Sequence, residues 1–178
     1  RKYGSPFLFE TNVGAGLPII DTLNNLIASG DQVVKIQAVL SGSLNFVFNN
    51  FKENTLFKDV VVQAQKEGFT EPDPKIDLSG IDVARKILIL ARESGLKIEL
   101  KDIENVPFLP KACLDTPDNE TFFESLVDHK DHFEKLLDDA RSKNTRLKYV
   151  AQLENGIAKV GLQEIPEGHD FYNLEGSD

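Results

Sequence analysis

The stretch from Gly68 to Lys86 sets Glu71, Asp73, Asp77 and Asp82 ahead of Lys86, with Pro72, Pro74 and Gly80 as punctuation. It runs into a strongly apolar segment, Ile87-Leu88-Ile89-Leu90-Ala91. Charge at the mouth of a buried helix is costly unless it is paired or put to use. The stretch is therefore either a structural ion-pair network or an active site. Asp82 and Lys86 stand four apart, on one face of a helix. At a surface such a pair contributes only about 0.3–0.5 kcal/mol. The apolar run beyond Lys86 half-buries the lysine, with the aspartate as the opposite charge beside it. A lysine balanced in this way can exchange a proton or donate to a substrate oxygen. Glu71, Asp73 and Asp77 form either a solvated acidic turn or an electronegative rim suited to an amino group, which a carboxylate pair binds well. Pro72 and Pro74 stiffen that rim and hold their neighbours out of the α region. No histidine or cysteine lies near it in sequence, which argues against a transition metal.

Two other turns carry weaker signals. Gly14-Ala15-Gly16 follows an apolar run and precedes a helix, but Ile19 stands where the third glycine of a dinucleotide loop belongs. It is a bare turn, or one whose carbonyls hold a monovalent cation. Ser41-Gly42-Ser43 either caps a helix or offers backbone N–H groups to an anion. Cys113 has no histidine or second cysteine nearby in sequence and reads as inert filler. His129, His132 and His169 are scattered among acidic residues, and no role is assigned to them.

The elements that must position these groups are legible from periodicity. Pro6-Phe7-Leu8-Phe9-Glu10 reads as a short strand. Ile19, Ile20, Leu23, Leu26 and Ile27 recur at helical spacing up to Gly30. Residues 32–40 read as a buried strand, 44–51 and 57–67 as helices, and 101–109 as holding a short strand. Ser79 with Asp82 makes a capping-box pattern for a buried helix ending near Ser94 and Gly95. Acidic amphipathic helices follow at 119–127 and 130–143. Alternating runs at 146–153 and 157–165 flank Asn155-Gly156, a hairpin signal. The fold class is α+β (mixed α/β), a mixed sheet with helices packed on it.

Composition narrows the function classes. A chain of 178 residues, 40% hydrophobic and 28% charged, suits a soluble globular domain. A net charge of −9 argues against nucleic acid as a partner. No apolar run is long enough to span a membrane. One cysteine fits a reducing, cytoplasmic setting. The chain has no methionine and starts at Arg1, so it is expected to be a piece of a longer protein.

The residues also carry a family likeness. Ala64, Gly68-Phe69-Thr70-Glu71-Pro72-Asp73-Pro74, Asp77-Leu78, Gly80, Asp82 and Lys86 together resemble the homoserine dehydrogenase motif. Asn12-Val13-Gly14-Ala15-Gly16-Leu17-Pro18 and Leu40-Ser41-Gly42-Ser43-Leu44-Asn45-Phe46 resemble the same family, in the same order. The resemblance covers residues 7–110; beyond that only the helix–helix–hairpin order supports it. The wording at 70–74 and 82–86 is similar to bifunctional aspartokinase–homoserine dehydrogenases. The resemblance implies NAD- or NADP-dependent interconversion of aspartate semialdehyde and homoserine. It implies Lys86 beside the reacting oxygen with Asp82 as its partner, and Glu71, Asp77 and Thr70 on the substrate. It implies Gly80 close to the nicotinamide, and Glu10, Val13, Ala15 and Leu17 around a monovalent cation such as sodium, mostly through carbonyls. Phe69 stands where the family commonly has tyrosine, so a hydroxyl contact is lost. The family's dinucleotide domain and a second functional lysine lie upstream of Arg1, and its closing segment follows Asp178. Residues 1–178 are therefore expected to be the substrate-binding and dimerisation domain, without the Rossmann domain, dimeric through its sheet and inactive alone. The alternative is a non-catalytic oligomerisation or regulatory module of that descent.

Overall fold

The computed structural model describes residues 4–176; residues 1–3 and 177–178 lie outside the described part. Two helices, α1 (Thr11–Gly14) and α2 (Ile19–Ala28), lead into β1 (Lys35–Ala38). Then come α3 (Gly42–Asn50), α4 (Phe57–Lys66), α5 (Pro74–Leu78) and α6 (Ile81–Glu93). A short 3-10 turn precedes β2 (Glu104–Val106). Helices α7 (Lys111–Leu114), α8 (Asn119–Asp128) and α9 (Lys130–Ser142) follow. The hairpin of β3 (Thr145–Glu154) and β4 (Ile157–Pro166) is the last regular structure among the described residues.

The hairpin forms because Asn155 (φ 52°) and Gly156 (φ 76°) both tolerate the left-handed conformations that a two-residue turn with the right twist demands. Its register runs from Glu154↔Ile157 to Thr145↔Pro166. β1 adds antiparallel to β3, and β2 adds parallel to β4, giving the order β1-β3-β4-β2. The sheet is therefore mixed, and the α+β class read from the sequence is the class observed.

Strand alternation divides the sheet's side chains. Leu147, Tyr149, Ala151 and Leu153, with the facing Leu162, Val160 and Ala158, join the helices in the core. An aromatic cluster ties helices to sheet. Phe57 stacks on Phe133 at 4.2 Å and meets Phe51 edge-on at 5.2 Å, while Phe108 meets Phe48 at 5.1 Å and Tyr149 at 6.0 Å. On α6, Val83, Ala84, Ile87, Leu88, Leu90 and Ala91 are buried, as its apolar middle required.

Three local expectations are corrected. Residues 6–10 form no strand: no sheet neighbour reaches them, Leu8 is 87% exposed, and Glu10 enters α1. The strand expected at 32–40 is only four residues long and sits at the sheet edge, with Val34 just before it 81% exposed. The stretch 68–79 is not all loop. Asp73 caps a one-turn helix, α5, by accepting from Lys75 N–H at 3.0 Å, and Pro74 takes the position where no N–H is needed.

Phe57→Ala empties the centre of the aromatic cluster. It is expected to cost about 3–5 kcal/mol and to lower the melting temperature by roughly 10 °C, measured by calorimetry.

Candidate active site

Lys86 lies on the second turn of α6. Its Nζ donates to Asp82 Oδ2 at 3.0 Å and to Leu40 O at 2.8 Å, and its side chain keeps 24% of its exposure. An ammonium has three hydrogens to donate and cannot accept. Two are taken, and among the described residues the third meets no acceptor. The pair is thus the half-buried one expected, but its second acceptor is a backbone carbonyl with no sequence signature.

α6 begins at Gly80, in the left-handed region at φ +71°. The expected capping box of Ser79 and Asp82 does not form. Ser79 closes α5, its hydroxyl donating to Ile76 O and accepting from Ile81 N–H at 3.3 Å, while the Asp82 carboxylate turns to Lys86. Beneath Gly80 stands Tyr149: a Cβ at position 80 would lie 1.8 Å from the phenol oxygen. Glycine is required there by this contact and by φ together. Tyr149 Oη donates to Asn105 Oδ1 at 3.1 Å, and Asn105 Nδ2 donates to Ser79 O at 2.9 Å, so the start of α6 rests on a hydrogen-bonded support. Burial pushes the Tyr149 phenol up to about 12.

Asp77 accepts from Ser43 Oγ and from Glu71 N–H, both at 2.9 Å. Ser43 Oγ in turn shares a hydrogen bond with Ser41 Oγ, which caps α3 by accepting from Leu44 N–H at 3.2 Å. The turn at 41–43 is therefore the capping turn of its two readings. Glu71 is exposed, and among the described residues its carboxylate meets no donor. Thr70 Oγ1 donates to Glu71 O at 3.1 Å. Asp73 belongs to α5 as its cap rather than to a rim. Lys75 points away to Thr116 O at 2.8 Å. Phe69 stacks on Phe46 at 4.3 Å.

Glu10 has other partners. Its two oxygens accept from Ile20 N–H at 2.7 Å and Asp21 N–H at 2.8 Å, so it caps α2 from ten residues away. Gly14 O accepts from Leu17 N–H and Leu17 O from Ile19 N–H, each at 2.9 Å, while Val13 is buried and Ala15 is held at φ 49°. No group of three or more His, Cys, Asp and Glu side chains is placed to hold a metal among the described residues.

Sequence reasoning missed Tyr149, Asn105, Lys148, Asn45 and Asn49. Lys148 is fully buried in β3 and bonded to both asparagines of α3. Lys148 stands among Leu147, Tyr149, Val150 and Ala151, but strand alternation assigns it to the face away from the core. Cys113 needs a correction too: Ser125 Oγ lies 3.2 Å and His129 Nδ1 3.8 Å from its sulfur, because α8 folds back on α7. Burial pushes the thiol up, and the His129 Nδ1–H is directed to Ser125 O at 2.8 Å, so filler remains its role. A cleft of about 510 Å³ between α3, α9 and the start of β3 is lined by Asn49, Lys52, Arg141, Arg146 and Glu175 among others, and by none of Glu71, Asp77, Asp82 and Lys86.

The fold is an α+β domain in which one strand-to-helix connection, residues 40–43, holds the Lys86 ammonium through Leu40 O and the Asp77 carboxylate through Ser43. A family model for homoserine dehydrogenase matches residues 18–178. The chain belongs to the homoserine dehydrogenase family. It is 48% identical to the bifunctional aspartokinase/homoserine dehydrogenase of Buchnera aphidicola, over 98% of this chain and 22% of that protein. It is 37% identical to the homoserine dehydrogenase of Schizosaccharomyces pombe, over all of this chain and 50% of that one. The crystal structure of a homoserine dehydrogenase from Thiobacillus denitrificans superposes with a TM-score of 0.68 at 25% identity, over 95% of this chain and 36% of that one. The chain thus spans between about a fifth and a half of the curated relatives it matches. No helix among the described residues is long and apolar enough to cross a membrane.

The raised phenol of Tyr149 has a consequence for stability. Below its unfolded value near 10 the group is protonated in both states; above it, only the unfolded chain ionises until about 12. Stability is expected to be fully present below pH 10 and to fall by about 2–3 kcal/mol by pH 12. Denaturant titrations across that window check this, and Tyr149→Phe should lack this part of the fall.

Proposed function

We propose that this chain is the substrate-handling domain of a homoserine dehydrogenase, interconverting L-aspartate 4-semialdehyde and L-homoserine on the route to threonine and methionine. The observation that carries the reading is the Lys86 ammonium, fixed by Asp82 and Leu40 O with one hydrogen left to give. A carbonyl oxygen seated on that hydrogen is polarised, and as it becomes an alkoxide the lysine supplies the proton. In the opposite direction the lysine receives it, and Asp82 holds the nitrogen in place throughout. Asp77 and the exposed Glu71, carried by the 68–77 segment with Thr70, receive the substrate's α-ammonium.

NAD or NADP, when bound, supplies or takes the hydride. Gly80 is the residue of this chain assigned to it. Gly80 is buried and its α-carbon already faces Tyr149, so its contribution is the backbone of the turn. The Glu10 carboxylate with the carbonyls of Val13, Ala15 and Leu17 is an all-oxygen donor set, which suits a hard cation such as sodium. A cation there would brace the α1–α2 turn. The domain would act as a homodimer through its sheet, in the cytoplasm or another reducing compartment.

In the full-length enzyme, Lys86→Ala is expected to lower kcat by about 10²–10⁴ while cofactor affinity, read by fluorescence titration, stays at the parental level. Parental turnover in that variant would leave the chain a non-catalytic oligomerisation or regulatory module. The isolated 178-residue chain is expected to be dimeric by light scattering and without measurable turnover; near-full activity would overturn its assignment as half of a site.

A further inference from the structure

We propose that Lys148, Asn45 and Asn49 form a socket that clamps residues 174–176 onto α3, and so positions the substrate-side turn at the other end of that helix. Lys148 is 0% exposed. Its Nζ donates to Asn45 Oδ1 at 3.1 Å, to Asn49 Oδ1 at 2.6 Å and to Leu174 O. Three hydrogens meet three acceptors, so the ammonium is saturated. Because an ammonium cannot accept, both asparagine oxygens must face it, and both amide N–H₂ groups must face away. Those groups point to the same segment: Asn49 Nδ2 donates to Leu174 O at 3.2 Å and Asn45 Nδ2 to Gly176 O at 2.5 Å. One buried charge thus orients two amides, and all three side chains read the carbonyls of one stretch of backbone. Arg146 secures the approach to it, stacking over Tyr172 at 4.4 Å and donating to Tyr172 O at 3.1 Å.

The energetics point away from stability as the purpose. The atoms that accept from Lys148 are all neutral. Burial and then the charge of Arg146 pull its pKa down, the Glu175 carboxylate pushes it up without a hydrogen bond to it, and an apolar residue of similar volume is often cheaper than such a buried charge. What the charge supplies is direction. Asn45 and Asn49 lie four apart on one face of α3. At the start of the same helix Ser43 holds Asp77, and just before it Leu40 O holds Lys86. Segment, helix and site are one hydrogen-bonded body.

The activity arm of the test rests on the reaction proposed above; the structural arm does not. Asn45→Asp in the full-length enzyme is isosteric. It keeps an acceptor on Lys148 and makes it an ion pair, but replaces the donor to Gly176 O with an oxygen. The melting temperature is expected to hold or rise. Amide exchange in residues 172–176 is expected to quicken about tenfold, the worth of roughly one hydrogen bond, and KM for homoserine to rise severalfold. Asn49→Asp, which removes the donor to Leu174 O, should do the same and serves if the first variant does not fold. Parental exchange in residues 172–176 of either folded variant would overturn the socket. Faster exchange with parental KM and kcat would overturn its link to the site. Absence of turnover in the parent enzyme would sink the proposed reaction, and the exchange comparison would still decide the socket.

Discussion

The half-buried ammonium of Lys86 organises what surrounds it, because an ionised group that leaves water must have its hydrogens accepted. Its two acceptors come from parts of the chain far apart: Asp82 on its own helix and Leu40 O beyond the end of β1. That carbonyl is available because β1 stops at Ala38 and the first helical bond of α3 is taken by Ser41 O. The following residues extend the arrangement, Ser41 capping α3 and Ser43 holding Asp77. A short connection between a strand and a helix therefore fixes both the ammonium and a carboxylate.

The hairpin supports the site from below. Lys148 and Tyr149 are neighbours on β3 and so point to opposite sides. One reaches the asparagines of α3 and the other the glycine that opens α6. Helices α3 and α6 are thus both referenced to adjacent positions of a single strand. The contact beneath Gly80 leaves no room for any side chain there, and the Asn105 bridge to Ser79 O sets the end of α5 relative to the start of α6.

Much of this was legible where the signal is local. The helices at 42–50, 57–66 and 81–93 follow their apolar spacing, and the hairpin follows Asn155-Gly156. Asp82 and Lys86 pair as their spacing requires. What escaped is what the chain brings together from a distance. Leu40 O is a backbone atom and carries no residue signature. Ser79 has the composition of a cap, but the left-handed Gly80 takes that place and Asp82 is claimed by Lys86. The apolar run at 6–10 looks like a strand, yet a strand exists only where a partner lies alongside, and none does. Glu10 as a remote cap of α2, and Lys148 as an orienter of two amides, depend on tertiary placement alone.

The sheet's order has a consequence for how the chain is made. Its two outer strands, β1 and β2, are synthesised first and pair only with β3 and β4, never with each other. The two central strands leave the ribosome after both outer ones. Until they do, β1 and β2 have no ladder, and the apolar faces of the helices between them have no sheet to cover them. Long-range pairing of this kind is slow and leaves sticky surface open meanwhile. The nascent sheet must wait, unassembled, for the β3–β4 hairpin, and chaperones have their opportunity in that interval.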